Sequence, residues 1–242
     1  EVRAGDVVLD VGANIGYYTA MLARLVGDTG KVYALEPEPR NYELLTRNIE
    51  LNGITSVVES YQLAASNVQA TGKLYVSQYS NLHSFLLEGS QQSNCPDANR
   101  FTEVTMTDLS SFVRGKRPVS LLRMDIEGYE VEVISGLEPA IKDGSYAGKI
   151  LFECHFPRYN QRSHNFRSPL EMLFNHGYHV RYMTSTDESK PRIRERGYEP
   201  VATVQTNDTR FRGIYEEVSD DDALNLICET GGVRDVMLEK AI

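Results

Sequence analysis

The sequence is short of positive charge and has no long apolar run. Lys and Arg number 25 against 34 Asp and Glu, which leaves a formal net charge of −9. This balance argues against a broad electrostatic grip on nucleic acid or on an anionic membrane. No stretch approaches the roughly 18 apolar residues that a membrane-spanning helix needs. We therefore expect neither nucleic acid nor a membrane as a partner.

Cysteine is also scarce. Cys95, Cys154 and Cys228 are far apart and show no CxxC spacing, so the sequence indicates neither a disulfide framework nor a zinc site. This usage favours a reducing, cytoplasmic location. Because the chain begins at Glu1 rather than Met, the sequence leaves open whether an N-terminal segment is missing.

Short apolar runs alternate with helical patterns along the first part of the chain. The runs predict strands at residues 7–11, 31–35, 57–63, 119–124 and 149–152. The intervening patterns predict helices at residues 15–26, 39–53 and 130–142, the last interrupted near Pro139. This alternation predicts an α/β fold with a doubly wound, mostly parallel, Rossmann-like sheet.

The remaining segments fit that rhythm less well. Residues 73–76 and 103–107 predict extra strands, 178–183 and 211–216 predict late antiparallel strands, and 170–176 predict a helix. Residues 88–99 and 187–200 are polar and predict loops. We expect a single domain over residues 1–242, with a core for cofactor binding and catalysis at 1–156. Residues 157–242 form a C-terminal part with candidate acceptor-binding elements.

A glycine-containing loop follows the first predicted strand directly. It runs from Asp10 to Gly16 with the pattern DxGxNxG, which departs from the GxGxxG loop that cradles a dinucleotide pyrophosphate. An acid before the first glycine would repel a pyrophosphate. It suits a cationic or amine-bearing ligand, such as the amino-acid end of S-adenosylmethionine. The alternative is an ordinary βαβ turn whose glycines serve only packing.

An acid and two small residues follow the next two predicted strands. Glu36 ends the second strand about twenty residues after Gly16, where a carboxylate can accept hydrogen bonds from both ribose hydroxyls. Ala64 and Ala65 follow the third strand and would leave room for an adenine ring, or they form a simple turn.

Acidic residues and a histidine follow the fourth and fifth predicted strands. Asp125 and Glu127 lie two residues apart, and if the strand geometry persists they point the same way. This pair is interpreted as a general base, metal ligands or a partner for the sulfonium, while Glu127 has the alternative of capping the following helix. His155 is a candidate general base, or a metal ligand together with Asp125. His83, in a polar segment, either reaches over an acceptor pocket or forms a surface turn.

At this point four sequence blocks resemble the FkbM-type methyltransferases. They are DVGANIGYYTA at 10–20, ALEPEPRNYELL at 34–45, NIELNG at 48–53 and LLRMDIEGYEVEVISGL at 121–137. The resemblance covers roughly residues 7–155. It implies a class I enzyme that transfers a methyl group from S-adenosylmethionine to hydroxyls of sugars and small natural products. Arg123 stands at a position that is occupied by lysine in this family.

The motifs and the resemblance together define the expected site. Catalysis is assigned to Asp125, Glu127 and His155, and a divalent metal, if one is used, to Asp125 and His155. The residues expected to contact the cofactor are Asp10, Gly12, Ala13, Asn14, Gly16, Glu36, Pro37, Ala64, Ala65 and Asp125.

The expected reaction is methyl transfer to the hydroxyl of a small-molecule acceptor. Alternatives are a methyltransferase acting on protein or RNA, an NAD-dependent oxidoreductase, and a non-catalytic cofactor-binding partner protein. The acceptor and the oligomeric state do not follow from the sequence.

Overall fold

The computed structural model describes residues 2–77, 83–85, 99–159, 164–206 and 208–241. The chain divides into two compact units, Glu1–Gly148 and Lys149–Ile242. Cys95 and most of the predicted polar loop at 88–99 lie outside the described residues.

The first unit contains a parallel sheet and a smaller sheet. Its described strands are β1 (Val7–Val11), β2 (Lys31–Leu35), β3 (Val58–Tyr61), β4 (Ala64–Ser66), β5 (Ala70–Tyr75), β6 (Phe101–Asp108) and β7 (Leu121–Met124). Parallel neighbours follow the order β7-β1-β2-β3. The smaller sheet has the order β4-β6-β5, in which β6 is parallel to β4 and antiparallel to β5.

Helices connect these strands; three of the four described here lie where the sequence pattern predicts them, and the short helix at residues 109–114 was not predicted. They are α1 (Tyr17–Val26), α2 (Pro39–Leu51), α3 (Leu109–Arg114) and α4 (Glu130–Lys142). All five residues of β1 are buried, as expected for a strand covered on both faces. The chain leaves β1 towards β2 and β3 and later returns to β7 on the other side of β1. Such a reversal opens a crevice at the carboxyl ends of the strands.

Two local predictions differ from the structure. Ala64–Ser66 is not a turn but the strand β4, which pairs with β6. Helix α4 continues through Pro139 instead of breaking there. The Ser110 hydroxyl accepts a hydrogen bond from the Ala140 N–H at 3.1 Å and donates one to the Gly136 carbonyl at 2.7 Å. It thereby satisfies two helix groups beside the proline, which has no N–H of its own to donate.

The second unit is built on antiparallel strands, which confirms the prediction of late antiparallel strands. Its described strands, β8 (Lys149–Glu153), β9 (Tyr178–Ser185), β10 (Ala202–Gln205), β11 (Phe211–Glu216) and β12 (Val233–Lys240), follow the order β10-β11-β9-β12-β8. Helices α5 (Arg167–Asn175) and α6 (Asp220–Asn225) accompany them. In the predicted loop at 187–200, Ile193 is buried.

Membrane insertion of a helix finds no support in the described residues. None of the helices there combines the length and the apolar character that crossing a bilayer requires.

A close approach between helix α4 and β4 yields a stability prediction. A Cβ added at Gly136 would lie 2.0 Å from the Ser66 carbonyl oxygen. We expect Gly136→Ala to lower the free energy of unfolding by about 1–3 kcal/mol, because this contact is with backbone that cannot move aside. The measurement is urea denaturation.

Gly115→Ala is the matched control for Gly136→Ala. Gly115 has an ordinary φ of −83°, and a Cβ there would lie 3.7 Å from the nearest atom. A Gly136→Ala variant as stable as Gly115→Ala would contradict the proposed close packing.

Candidate functional site

A cavity of about 420 Å³ lies at the carboxyl ends of β1, β2 and β7. All residues that line it belong to the first unit. Its size is within the range of small-molecule sites in proteins. The crevice expected from the strand order is therefore present as a cavity.

The glycine loop after β1 forms one wall of the cavity. Gly12, Asn14 and Gly16 have φ values of 76°, 50° and 90°, in the left-handed region that favours glycine. A Cβ added at Gly12 would lie 2.3 Å from the Asp125 carbonyl oxygen, so only glycine lets this loop lie against the end of β7. The N–H groups of Gly12 and Ala13 both donate to the Leu35 carbonyl at 3.0 Å.

Not every residue of that loop reaches the cavity. Gly12, Ala13 and Asn14 line it, whereas Gly16 does not. A Cβ added at Gly16 would lie 2.7 Å from Leu45 Cδ1. The structure therefore gives Gly16 a packing role against α2, and its direct contact with a cofactor stays a prediction.

Glu36 holds the cavity's second wall together. Its side chain is buried, and its two carboxylate oxygens accept hydrogen bonds from the backbone N–H groups of Asn14, at 2.8 Å, and Glu38, at 2.9 Å. Burial raises the pKa of Glu36 to about 7, although these hydrogen bonds act in the opposite direction. The carboxylate thus joins the loops after β1 and β2 and lines the cavity.

Arg123 of β7 bridges two carboxylates. Its Nη1 donates to Asp10 at 3.1 Å and its Nη2 to Asp125 at 3.0 Å, while the guanidinium lies 4.3 Å from the centre of the Tyr18 ring. Burial alone would lower the pKa of Arg123, but the two carboxylates outweigh it and the pKa is raised. The cavity is thus lined at this end by a permanent cation beside Asp125.

Asp10 is placed deeper than the sequence analysis assumed. It is fully buried, and its second carboxylate oxygen accepts a hydrogen bond from the Thr19 hydroxyl at 2.6 Å. Asp10 is not among the residues that line the cavity. Its direct contact with an ammonium group of a ligand stays a prediction, whereas its pairing with Arg123 is observed.

Asp125 and Glu127 both line the cavity but do not continue the strand. Strand β7 ends at Met124, and Glu127 has a left-handed φ of 54°. The Asp125 N–H still donates to the Val11 carbonyl at 3.2 Å, which holds it beside β1. The two acids therefore lie on a turn rather than on one face of an extended strand.

The remaining wall of the cavity is formed by small and aromatic side chains. Pro37, Ala64 and Ala65 line the cavity as predicted positions, and Phe85 and Tyr129 line it as well. Four further residues line the cavity that were not predicted from the sequence: Tyr17, Tyr18, Asn41 and Arg123. A single arginine in the otherwise apolar run of β7, two residues before Asp125, is the sequence signal that could have indicated Arg123.

His155 belongs to the second unit. It follows β8, and its Nε2 lies 3.5 Å from Glu153 Oε1, an oxygen that also pairs with Arg234 at 2.6 Å. The backbone N–H of His155 donates to the Tyr159 hydroxyl at 3.2 Å. Its role as a general base or metal ligand stays a prediction.

The cavity's residues fit S-adenosylmethionine. Glu36 offers carboxylate oxygens for ribose hydroxyls, the small and aromatic wall suits a purine, and Asp125 offers a negative charge towards a sulfonium or an ammonium group.

Comparison with known proteins agrees with this chemistry. Residues 10–200 match the methyltransferase FkbM domain family. The chain is similar to methyltransferase sdnD of Sordaria araneosa, at 28% identity over 54% of this chain and 60% of that protein. It is similar to hexuronic acid methyltransferase AglP of Haloferax volcanii, at 25% identity over 64% and 58%. It is similar to 31-O-demethyl-FK506 methyltransferase FkbM of Streptomyces tacrolimicus, at 27% identity over 58% and 62%.

The matches to these relatives are partial. The chain spans about three fifths of the length of these three relatives. The family match covers more than half of the chain and includes every residue that lines the cavity.

The raised pKa of Glu36 yields a pH prediction. Because the folded-state pKa of Glu36, about 7, exceeds the ordinary glutamate pKa of 4.5, this group's contribution to stability is fully present below about pH 4.5. It is lost as the pH rises through about 7, where ionisation in the buried site costs about 3 kcal/mol. We expect the free energy of unfolding to fall over this window in the wild type but not in Glu36→Gln, measured by urea denaturation at each pH.

The variants are compared by how their free energy of unfolding changes with pH and not by its absolute value, because the Glu36→Gln amide also alters two backbone hydrogen bonds. Glu43→Gln, at an exposed position on α2, is the control and should keep the wild-type slope. Parallel pH profiles for wild type and Glu36→Gln would show that Glu36 does not titrate in this window.

Proposed function

Since this chain belongs to the FkbM methyltransferase domain family, we propose that it methylates a hydroxyl of a small molecule, such as a sugar or another natural product. The methyl donor of the family is S-adenosyl-L-methionine, which sets aside the nicotinamide alternative. The observation that supports this function most directly is one cavity that holds Glu36 at one strand end and Asp125 at another.

Glu36 is the proposed ribose-binding residue. Each of its carboxylate oxygens accepts one backbone N–H, and a carboxylate oxygen has a further lone pair available for a hydroxyl donor. The backbone hydrogen bonds hold the carboxylate in place before the ligand arrives, so little side-chain entropy is lost on binding.

Asp125 is the proposed catalytic base. Bound in the cavity, S-adenosyl-L-methionine would supply an electrophilic methyl group to the acceptor oxygen, with S-adenosylhomocysteine as the leaving group. Asp125 lines the cavity and would take the proton that the acceptor hydroxyl loses. Arg123 holds the Asp125 carboxylate in position, and accurate positioning accounts for much of the rate in such bimolecular steps. His155 is the second candidate for the base.

The relatives support a small acceptor with a hydroxyl group. One is named for a hexuronic acid and another for a 31-O-demethyl form of FK506. The formal net charge of −9 disfavours RNA as the acceptor, because phosphates would be repelled. A methyltransferase acting on protein and a non-catalytic partner protein remain the alternatives, and turnover with a small acceptor distinguishes both from the proposed function.

Ribose binding by Glu36 is tested by calorimetry. We expect Glu36→Gln to bind S-adenosyl-L-methionine about 10-fold or more weakly than the wild type, because charge-assisted hydrogen bonds to the ribose are lost. Glu43→Gln serves as the control with unchanged affinity. A 2′-deoxy analogue should bind the wild type more weakly than S-adenosyl-L-methionine does, and Glu36→Gln should weaken its binding by a smaller factor, because one of the two ribose hydroxyls is already absent. An equal factor for both ligands would assign the effect of the substitution to loop damage.

Proton removal by Asp125 is tested by turnover. S-adenosylhomocysteine release is followed over a panel of hydroxylated sugars and natural products. With an accepted substrate and saturating S-adenosyl-L-methionine, we expect Asp125→Asn to lower kcat about 10²-fold or more. Asp28→Asn, in the exposed turn before β2, controls for a conservative change away from the cavity. An unchanged kcat in Asp125→Asn would contradict the role of Asp125 as the catalytic base and leave His155 as the candidate.

A further inference from the structure

The strand order orients any donor molecule within the cavity. Asp125 lies at the end of β7 and Glu36 at the end of β2, with β1 between these strands. If the reacting sulfonium is near Asp125 and the ribose near Glu36, as the proposed function has it, the nucleobase extends beyond Glu36 towards β3. The residues that line the cavity there follow β3: they are Leu63, Ala64 and Ala65.

This end of the cavity is a small apolar compartment. Ala64 and Leu74 belong to a buried cluster with Val104 and Met106, and Phe85 and Tyr129 pack against it. The Phe85 and Tyr129 rings lie 4.6 Å apart at an angle of 35°. Such walls suit the faces of a purine, which are apolar and polarisable, but they do not recognise the nitrogen atoms at its edge.

His83 brings a polar group to this compartment. It lines the cavity, and its Nδ1 accepts a hydrogen bond from the Ser77 backbone N–H at 3.0 Å. A backbone N–H is always a donor, so Nδ1 must carry a lone pair and the proton of the neutral ring must sit on Nε2. With Nδ1 engaged by the Ser77 N–H, Nε2–H is the remaining polar group of the ring, and His83 is one of the residues that line the cavity.

The surroundings keep His83 in that state. Burial lowers its pKa; Glu38 acts in the opposite direction, and Arg100 adds to the lowering. Protonation would also place a second N–H against the Ser77 N–H, which is unfavourable. The ring is therefore neutral near pH 7 and presents a fixed hydrogen-bond donor.

The segment that carries His83 is anchored on two sides. Ser84 exchanges backbone hydrogen bonds with Tyr75 at the end of β5, at 2.9 and 3.2 Å. The Ser84 hydroxyl donates to the Glu127 carbonyl at 3.2 Å, so the nucleobase end is tied to the turn that carries the acids after β7. The donor on His83 is thus held by its neighbours before a ligand binds.

We propose that His83 is a specificity-determining residue that donates a hydrogen bond from Nε2–H to a ring nitrogen of the adenine of the methyl donor. The proposal rests on the proposed function and extends it to recognition of the base. Adenine offers N1, N3 and N7 as acceptors, and an imidazole N–H held in a mostly apolar compartment matches one of them. Removing that acceptor from the ligand should then matter only while His83 is present.

The test combines ligand analogues with two amide variants of His83. S-adenosylhomocysteine and its analogues with carbon in place of N1, N3 or N7 are titrated calorimetrically into wild type, His83→Asn and His83→Gln. An Asn amide can still accept from Ser77 but lacks a group at the place of Nε2, whereas the longer Gln amide can supply an N–H there. Circular dichroism verifies that each variant is folded.

The expected result is a matched loss. Wild type should bind one of the three analogues about 3- to 10-fold more weakly than S-adenosylhomocysteine, the usual range for a neutral hydrogen bond. His83→Asn should bind S-adenosylhomocysteine more weakly than the wild type does, by the same factor, and should bind that analogue no more weakly than S-adenosylhomocysteine. His83→Gln should regain both the affinity and the discrimination.

Two results overturn the inference in distinguishable ways. If His83→Asn binds S-adenosylhomocysteine as tightly as the wild type does, or still binds the discriminated analogue more weakly, then His83 does not recognise the adenine. Binding of S-adenosylhomocysteine to the wild type would in that case still support the donor site. If wild type does not bind S-adenosylhomocysteine at all, both this inference and the proposed function fail. Should His83→Asn not fold, the ¹⁵N resonance of His83 Nε2 in the wild type must shift with S-adenosylhomocysteine and not with the discriminated analogue; identical shifts would overturn the inference.

Discussion

The candidate site depends on the ion bridge made by Arg123. The guanidinium binds Asp10 in the interior and Asp125 at the cavity, and its side chain is only 11% exposed. Burying a charged group is costly unless it has a close partner, and breaking this bridge would leave the fully buried Asp10 carboxylate without its cation. The planar guanidinium of Arg123 donates to both carboxylates at once from two different nitrogens. A lysine, which the family has at this position, carries a single ammonium and cannot reproduce that geometry.

The bridge and the glycine loop together shape the cavity. Because Gly12 lets the loop after β1 lie against the Asp125 carbonyl, the carboxyl ends of β1 and β7 meet closely, and the acids after β7 line the same space as Glu36. Glu36 in turn joins the loops after β1 and β2 through two backbone hydrogen bonds. The polar groups are thus held by the protein before any ligand binds, which is the condition for strong recognition at a small site.

Much of the fold and part of the site follow from local sequence. The strand β1, the DxGxNxG loop and Glu36 are recognisable because apolar runs, glycines and a terminal acid carry their meaning within a few residues. Arg123 and Tyr129 were not assigned, since their partners, Asp10 and Ser66, are distant in the chain. The continuity of α4 through Pro139 was also missed, because it depends on the Ser110 hydroxyl from another helix.

The sequence by itself determined the alternation of strands and helices, the family and the residues of the nucleotide loop, because these reside in short-range patterns. The tertiary structure alone decided that Asp10 is paired inside the protein while Asp125 faces the cavity. It alone placed His83 among the residues that line the cavity and put the proton of the neutral ring on Nε2. The physical reason is that burial and hydrogen-bond partners are set by contacts between distant segments, and these contacts give identical side chains different chemistry.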